Sequence, residues 1–261
     1  VLDSAAAVAQ KAVNFLQHMP GSKDPESAWY PHRMRAHKLL GIVAFYRGQY
    51  PAALVAMQDY QRTASVLGST SDEGAAYNYM SYCFRSMNDD VQAERYARRA
   101  IHVLRALPPD LDLANAYTGL SSVMSDGDRI DSAQHYNRLA IAIFNRTGNV
   151  TNATNTWLNM ADNWARIAAY DSCTHALHHA RNGLSEALPD AHMKFHAHRG
   201  RVLLADGALG PAWLALDSAM QLAQELGSAE AVAHIGALQA LTSAASGRYR
   251  EAIALQRTAT D

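Results

Sequence analysis

Long apolar runs and secretion signals are both missing from this sequence. No apolar stretch approaches the ~20 residues that a membrane-spanning helix requires, and no basic segment followed by an apolar one comes after Val1. Cysteine is scarce too, because the 261 residues include only Cys83 and Cys173. We therefore expect a cytoplasmic protein without a membrane span, and no disulfide between two thiols that lie 90 residues apart.

Catalytic and phosphate-binding motifs are missing as well. The sequence has no nucleophile motif, no glycine-rich phosphate loop and no paired-cysteine zinc pattern. Charged residues make up 18% of the chain and the formal net charge is -1, so no overall charge attracts nucleic acid. We expect this segment to have no enzymatic activity, no cofactor and no nucleic-acid partner. A catalytic output domain elsewhere in a longer chain is compatible with that expectation.

What the sequence does have is a six-residue motif that recurs along the chain. Its first copy is Gly48-Gln49-Tyr50-Pro51-Ala52-Ala53, and the ends of successive copies are separated by 40, 40, 40, 39 and 40 residues. A fixed period of this size indicates a solenoid of stacked repeats. The six copies end at Ala53, Ala93, Ala133, Cys173, Ala212 and Ala252.

Each period contains two helical patterns and almost no strand pattern. A first helix is predicted over 1–19, followed by a loop over 20–31 that contains three prolines. The remaining helices are predicted in pairs at 32–47 with 50–67, 72–87 with 90–106, 111–126 with 129–147, 150–168 with 171–187, 190–206 with 209–226, and 229–246 with 249–261.

The motif suits the turn inside each helix pair. Its first residue is usually glycine, asparagine or aspartate, which can adopt the left-handed conformation that ends a helix. Its last residue is small, so the second helix can approach the first closely, and we expect Ala93, Ala133 and Cys173 to be buried. Thirteen residues earlier a large residue precedes a small one, as close helix crossing requires: Leu40-Gly41, Met80-Ser81, Leu120-Ser121 and Met160-Ala161.

Two further features complete the pattern. An aromatic residue precedes the large-then-small pair in three copies (Tyr77, Tyr117 and Trp157), and alanine follows the motif by seven residues at Ala100, Ala140, Ala180, Ala219 and Ala259. Together these features resemble the tetratricopeptide repeat (TPR) over residues 32–261. The resemblance implies an all-α fold, a right-handed superhelix (α-solenoid) of about six helix-turn-helix repeats plus an N-terminal half-repeat.

The chain departs from the TPR pattern in two respects. Its period is near 40 instead of 34, a difference that longer helices absorb and that is familiar from sensor segments of bacterial signalling proteins. In the last two repeats, Arg199 and Gln239 occupy the position where the family has leucine.

The resemblance implies one repeat domain over 1–261, with a leftover helix at 1–19 and repeats at about 32–68, 72–107, 111–148, 150–188, 190–227 and 229–261. The helix at 1–19 lacks a partner on one side, and the last helical pattern runs to the final residue. A solenoid normally covers its terminal repeats. We therefore expect a segment cut from a longer polypeptide, whose uncovered ends favour a homodimer through a terminal repeat.

In the TPR family the first helix of each pair lines a concave groove that binds partner segments. The family's carboxylate clamp is not matched, because Ile42 and Tyr79 stand where it has asparagines, so binding of chaperone C-termini is not expected. The alternative is that these positions are polar only because the groove wall faces water, and that they bind no partner. The groove positions carried onto this chain are Arg35, Lys38, Tyr46, Asn78, Tyr79, Tyr82, Arg85, Asn115, Asn155, Asn159, Asp162, Arg166, Lys194, His198 and Arg201.

Histidine provides the one cluster that could bind a metal. His175 and His179 have the i, i+4 spacing that can hold a metal on one helix face. We nevertheless expect no metal site, because repeat alignment places both residues on the outward face and no third helix supplies a carboxylate in register. A basic stripe over 95–105 is interpreted as a solvated outer face in preference to a nucleic-acid footprint, since the overall charge is balanced.

These observations predict a protein- or peptide-recognition scaffold. We interpret it as a regulatory or sensory domain of a larger signalling protein, of bacterial type. The alternative is a small-molecule or metal-sensing domain that uses the concave groove or the histidine cluster.

Overall fold

Residues 2–19, 24–185 and 188–260 are described in the structure, a computed structural model, and within them every regular element is an α-helix. The predicted all-α class is therefore confirmed. In the same residues no helix is both long and apolar enough to cross a membrane. The helices are α1 (Leu2–His18), α2 (Tyr30–Tyr46), α3 (Tyr50–Val66), α4 (Thr70–Ser86), α5 (Asp90–Leu104), α6 (Leu111–Asp126), α7 (Ile130–Arg146), α8 (Val150–Arg166), α9 (Tyr170–Arg181), α10 (Pro189–Ala205), α11 (Leu209–Glu225), α12 (Ala229–Ala245) and α13 (Tyr249–Thr260).

The chain divides into two compact units, Val1–Ile143 and Phe144–Asp261, referred to as unit 1 and unit 2. In unit 1, helices α1 to α6 pack in chain order, and the first helices of the pairs, α2, α4 and α6, also contact one another in succession. In unit 2, helices α8 to α13 follow the same scheme, with α8, α10 and α12 in successive contact. Each unit therefore has a wall of first helices. That one domain spans 1–261 stays a prediction.

The turn inside each pair is made as the motif predicts. Its first residue has a positive φ in all six copies, between 55° and 75°. Ala93, Ala133 and Cys173 are each 0% exposed, so their predicted burial at equivalent places is confirmed. The six turn residues are Gly48, Asn88, Asp128, Ala168, Gly207 and Gly247.

The small residue of the large-then-small pair sits at the helix crossing. Ser81 Oγ donates to the carbonyl oxygen of Ala93 at 2.7 Å, and Ser121 Oγ donates to that of Ala133 at 2.9 Å. In the fifth repeat, a Cβ added at Gly200 would lie 2.6 Å from Leu216 Cγ. The close crossing is therefore kept where Arg199 replaces the expected leucine.

One predicted helix is too long. The sequence pattern placed the second helix of the 150–188 repeat at 171–187, but α9 ends at Arg181 and a turn follows at Asn182 and Gly183. A Cβ at Gly183 would collide with the Thr154 side chain of α8. Any other residue at position 183 would force the Thr154 and Val150 side chains of α8 to shift. The predicted end at 187 lies outside the described residues.

Candidate functional site

The unit 1 wall, formed by α2, α4 and α6, holds its predicted groove residues in contacts with one another. Tyr82 Oη donates to the backbone carbonyl of Asn115 at 3.1 Å and accepts from Asn78 Nδ2, also at 3.1 Å. A Cβ at Gly119 would lie 2.9 Å from both side chains, so glycine leaves room for the pair. Burial raises the pKa of Tyr82 to about 12. Asn78 is itself 6% exposed and lies inside the wall, not on its surface.

Lys38 belongs to a second set of contacts in unit 1. Its Nζ lies 3.5 Å from Asp72 Oδ1 and 5.4 Å from the centre of the Tyr60 ring. Tyr60 Oη donates a short hydrogen bond to the same carboxylate, and Ser69 Oγ donates to it at 2.6 Å. Burial alone would raise the pKa of Asp72, but these hydrogen bonds and the Lys38 charge lower it. The lysine is thus already paired.

Arg85 is likewise paired, since its Nε lies 2.5 Å from Asp126 Oδ2 at the end of α6. Tyr79 is half-buried and meets the Tyr82 ring edge-on, with centroids 6.1 Å apart. Arg35 and Tyr46 are exposed, Tyr46 at 65%. Tyr46 is therefore fully presented to solvent on this wall, and Tyr79 only in part.

Unit 2 contains a groove between α8, α10 and α12 with a volume of about 460 Å³. Four of the predicted residues line it, and these are Asn159, Asp162, Lys194 and His198. Its apolar lining comes from Leu158, Met193, Ala197 and Ile235, all of them buried side chains. The name unit 2 groove is used for this lining and these four polar residues, together with Asp190, Ser228, Glu230 and His234, which also line it.

The charged groups of the unit 2 groove are mostly carboxylates. Lys194 Nζ pairs with Asp190 Oδ2 at 2.7 Å. Asp162 and Glu230 also line the groove, and neither forms an ion pair or hydrogen bond within the described part of the chain. Two carboxylates of the groove therefore lack an ion-pair partner in the described residues.

His198 is the buried polar group of this groove. It is 9% exposed, lines the groove, and makes no hydrogen bond to any residue that the structure describes. Burial lowers its pKa to about 4, although the Asp162 charge acts in the opposite direction. The imidazole is therefore neutral at pH 7, with one nitrogen able to donate and the other able to accept.

Three other groove predictions fall elsewhere. Asn155 and Arg201 are half-buried and Arg166 is exposed, and none of the three lines the unit 2 groove. The sequence interpretation also missed Asp190, Ser228, Glu230 and His234, which do line it. The signal was available, because Glu230 and His234 lie one period of 40 residues after Asp190 and Lys194.

The histidine cluster lies on the exposed side of α9. The imidazole rings of His175 and His179 are 4.7 Å apart, and the Trp157 ring stacks on His179 at 4.4 Å. Burial and the neighbouring histidines lower the pKa of His179. Within 2–19, 24–185 and 188–260, no group of three or more histidine, cysteine or acidic side chains is arranged to hold a metal.

The basic stripe is exposed on α5, and its members have local partners. Arg98 Nε lies 2.8 Å from Glu94 Oε1, and the Arg99 guanidinium lies 4.4 Å from the centre of the Tyr77 ring.

Both cysteines are buried and free, and burial raises the pKa of each thiol to about 11.

No protein-family model matches the sequence, and no curated protein is significantly similar to it. Solved structures are similar. BtubC from P. vanneervenii has a TM-score of 0.71 at 14% identity, over 87% of this chain and 93% of that one. The Rap conjugation gene regulator of plasmid pLS20, solved in complex with the Phr* peptide, has a TM-score of 0.65 at 14% identity, over 93% and 69%.

A kinesin light chain from Podospora anserina, described by its TPR-like repeats, has a TM-score of 0.58 at 11% identity, over 75% of this chain and 97% of that one. Identities this low show the fold and nothing finer. The helix pairs, the left-handed turns and these likenesses together identify a TPR-like helical-repeat fold.

Proposed function

We propose that this chain is a protein- or peptide-recognition scaffold that acts as a regulatory or sensory domain of a larger cytoplasmic signalling protein. The observation that carries the proposal is the unit 2 groove, which combines an apolar lining with polar groups that have no partner in the described residues. Binding sites commonly have that composition. Support also comes from the pLS20 Rap structure, which shares the fold and was solved with a bound peptide.

The unit 1 wall supplies a second contact surface in this proposal. Tyr46 is exposed and Tyr79 is half-buried, and tyrosine is enriched among the residues that contribute most to protein interfaces. The hydrogen bonds of Tyr82 and the ion pair of Arg85 keep the surrounding wall in place. A segment bound there would meet a preformed surface.

The test is selection from a displayed library of random peptides against the purified chain. Enriched peptides are expected to lose affinity about tenfold or more when Asn159 or Asp162 is replaced by alanine, since interface anchors contribute ~2 kcal/mol or more. His178→Ala, on the exposed side of α9, is the matched control and should leave binding unchanged. Enriched peptides that respond only to His178→Ala, or no enrichment at all, would contradict the proposal.

The groove volume favours one alternative, a small-molecule sensor. About 460 Å³ falls within the range of roughly 300–1,000 Å³ that is usual for small-molecule sites. In that case a metabolite library, and no peptide, should raise the melting temperature, and Asp162→Ala should abolish the rise.

A further inference from the structure

The unit 2 groove carries excess negative charge. Three carboxylates, those of Asp162, Asp190 and Glu230, line it against the single ammonium of Lys194. Lys194 is paired with Asp190. Arg201, whose charge also acts on His198, does not line the groove, so Asp162 and Glu230 are the lining carboxylates without an ion-pair partner in the described residues. A site of this kind attracts a cation and repels an acidic segment.

A second observation is independent of this charge. His198 is nine-tenths buried, lines the groove and makes no hydrogen bond in the ranges that the structure describes. The imidazole therefore keeps a donor and an acceptor nitrogen that a bound group can use. Because burial keeps this imidazole neutral, it can accept a hydrogen bond from a cation and does not repel it.

The apolar lining limits which cations fit. Leu158, Met193 and Ile235 lie beside the charged groups and would pack against several methylene groups. Lysine and arginine have such a stem below the charged group, and they bury the stem while the charge keeps polar partners. A small inorganic cation would leave the apolar side of the groove unfilled.

We infer that the unit 2 groove holds the ammonium or guanidinium group of a basic side chain in the bound segment. The carboxylates of Asp162 and Glu230 attract the positive charge, and His198 accepts a hydrogen bond from the cationic group. This inference rests on the proposed peptide recognition and adds the chemistry of the partner.

Small cations test the groove without any peptide. The probes are n-butylammonium and n-butylguanidinium, with butyrate and 1-butanol as matched anionic and neutral controls, titrated into the full chain. The imidazole signals of His198 and His234 are followed by NMR. Both cations should shift these signals saturably, and neither control should. Equal response to 1-butanol would overturn the inference, because apolar contact alone would then explain binding.

Substitutions in the groove should change cation affinity in opposite directions. Asp162→Asn should weaken it roughly tenfold, the loss expected for a charge-assisted hydrogen bond. Glu230→Gln, at an exposed site in the first turn of α12, should weaken it a few-fold without endangering the fold. Lys194→Gln should strengthen it a few-fold, because it releases Asp190. Asp171→Asn, at an exposed position of α9, is the control and should have no effect. A weakening by Lys194→Gln would contradict the inference.

The peptide selection separates this inference from the proposed function. Enriched peptides that share lysine or arginine and lose affinity when it becomes norleucine support both. Peptides that bind the groove without any basic preference sink the inference and leave the proposed function standing. Cation binding without any enriched peptide would contradict the proposed function, and the groove would then be a binding site for small organic cations.

Discussion

Tyr82 in unit 1 and Asp162 in unit 2 occupy the same repeat position, two periods apart, yet their surroundings differ. Tyr82 donates to the Asn115 backbone of the next first helix and accepts from Asn78 of its own. Asp162 hydrogen bonds to nothing in the described residues, and its marked interaction is electrostatic, with His198. Equivalent positions therefore stabilise one wall and leave a charged group available in the other.

The difference teaches that position within a repeat does not determine whether a side chain is available to a partner. Its availability depends on which residue one period away can reach it. In unit 1, Arg85 is close to Asp126 and Lys38 to Asp72. In unit 2, neither Asp162 nor Glu230 has a cation within ion-pair distance in the residues that the structure describes.

The comparison predicts its largest effect on stability at Tyr82. Tyr82→Ala should lower the free energy of unfolding by about 2–3 kcal/mol, because it removes a half-buried ring against Phe45 and two hydrogen bonds. Asp162→Ala should change it by less than about 0.5 kcal/mol, because no described bond is lost. Urea unfolding of the full chain measures both. Equal losses of stability would mean that the two walls differ less than their contacts indicate.

A feature common to both units should produce a smaller, pH-dependent effect. His37 in unit 1 is 6% exposed, with Nδ1 4.0 Å from Asp59, and His198 is 9% exposed near Asp162. Burial lowers both pKa values, that of His198 to about 4. Below about pH 6.5 the unfolded chain therefore takes up a proton that the folded chain does not. The free energy of unfolding consequently falls as the pH falls below 6.5, and the contribution of the neutral histidine is fully present above 6.5.

For His198 this loss amounts to about 1.5 kcal/mol between pH 6.5 and 5. His198→Gln should remove that part of the acid sensitivity, and His37→Gln should remove a separate part. Urea midpoints at the two pH values provide the measurement, and unchanged acid sensitivity in His198→Gln would show that the imidazole is protonated when folded. If only one variant responds, the two units differ in their buried histidines as well as in their walls.

The fold could be predicted almost completely from the sequence, because the repeat is local. The left-handed turn and the small residue at the crossing are both recognised from the motif itself, at Asn88 and Ser81 for example. The end of α9 was missed because the close approach of Gly183 to the Thr154 side chain of α8 is a tertiary contact that the helical pattern does not show.

The candidate site was predicted only in part, because it depends on contacts between periods. Asn159, Asp162, Lys194 and His198 were identified by position and do line one groove. The hydrogen bond of Tyr82 to a backbone carbonyl 33 residues away has no signature in side-chain identity. Sequence therefore indicates the wall and leaves undetermined which of its residues remain available.

The smallest expected effect on stability comes from the turn residue that begins each motif copy, which also differs between the two units. The three copies in unit 1 begin with Gly48, Asn88 and Asp128, which tolerate a positive φ. In unit 2, Ala168 adopts φ of 55° at the same position, whereas Gly207 occupies it in the next repeat. The Ala168 side chain gains no local hydrogen bond to compensate for the left-handed backbone.

Ala168→Gly should therefore raise the free energy of unfolding by about 1 kcal/mol, the approximate cost of a β-carbon in this conformation. Gly207→Ala is the reciprocal control. An added Cβ there meets no described atom within 4 Å, so the change should lower stability by a similar amount through the backbone alone. Urea midpoints measure the pair, and the double variant should return to the parent value. A loss of stability in Ala168→Gly would mean that the alanine contributes more through helix propensity than the left-handed turn costs it.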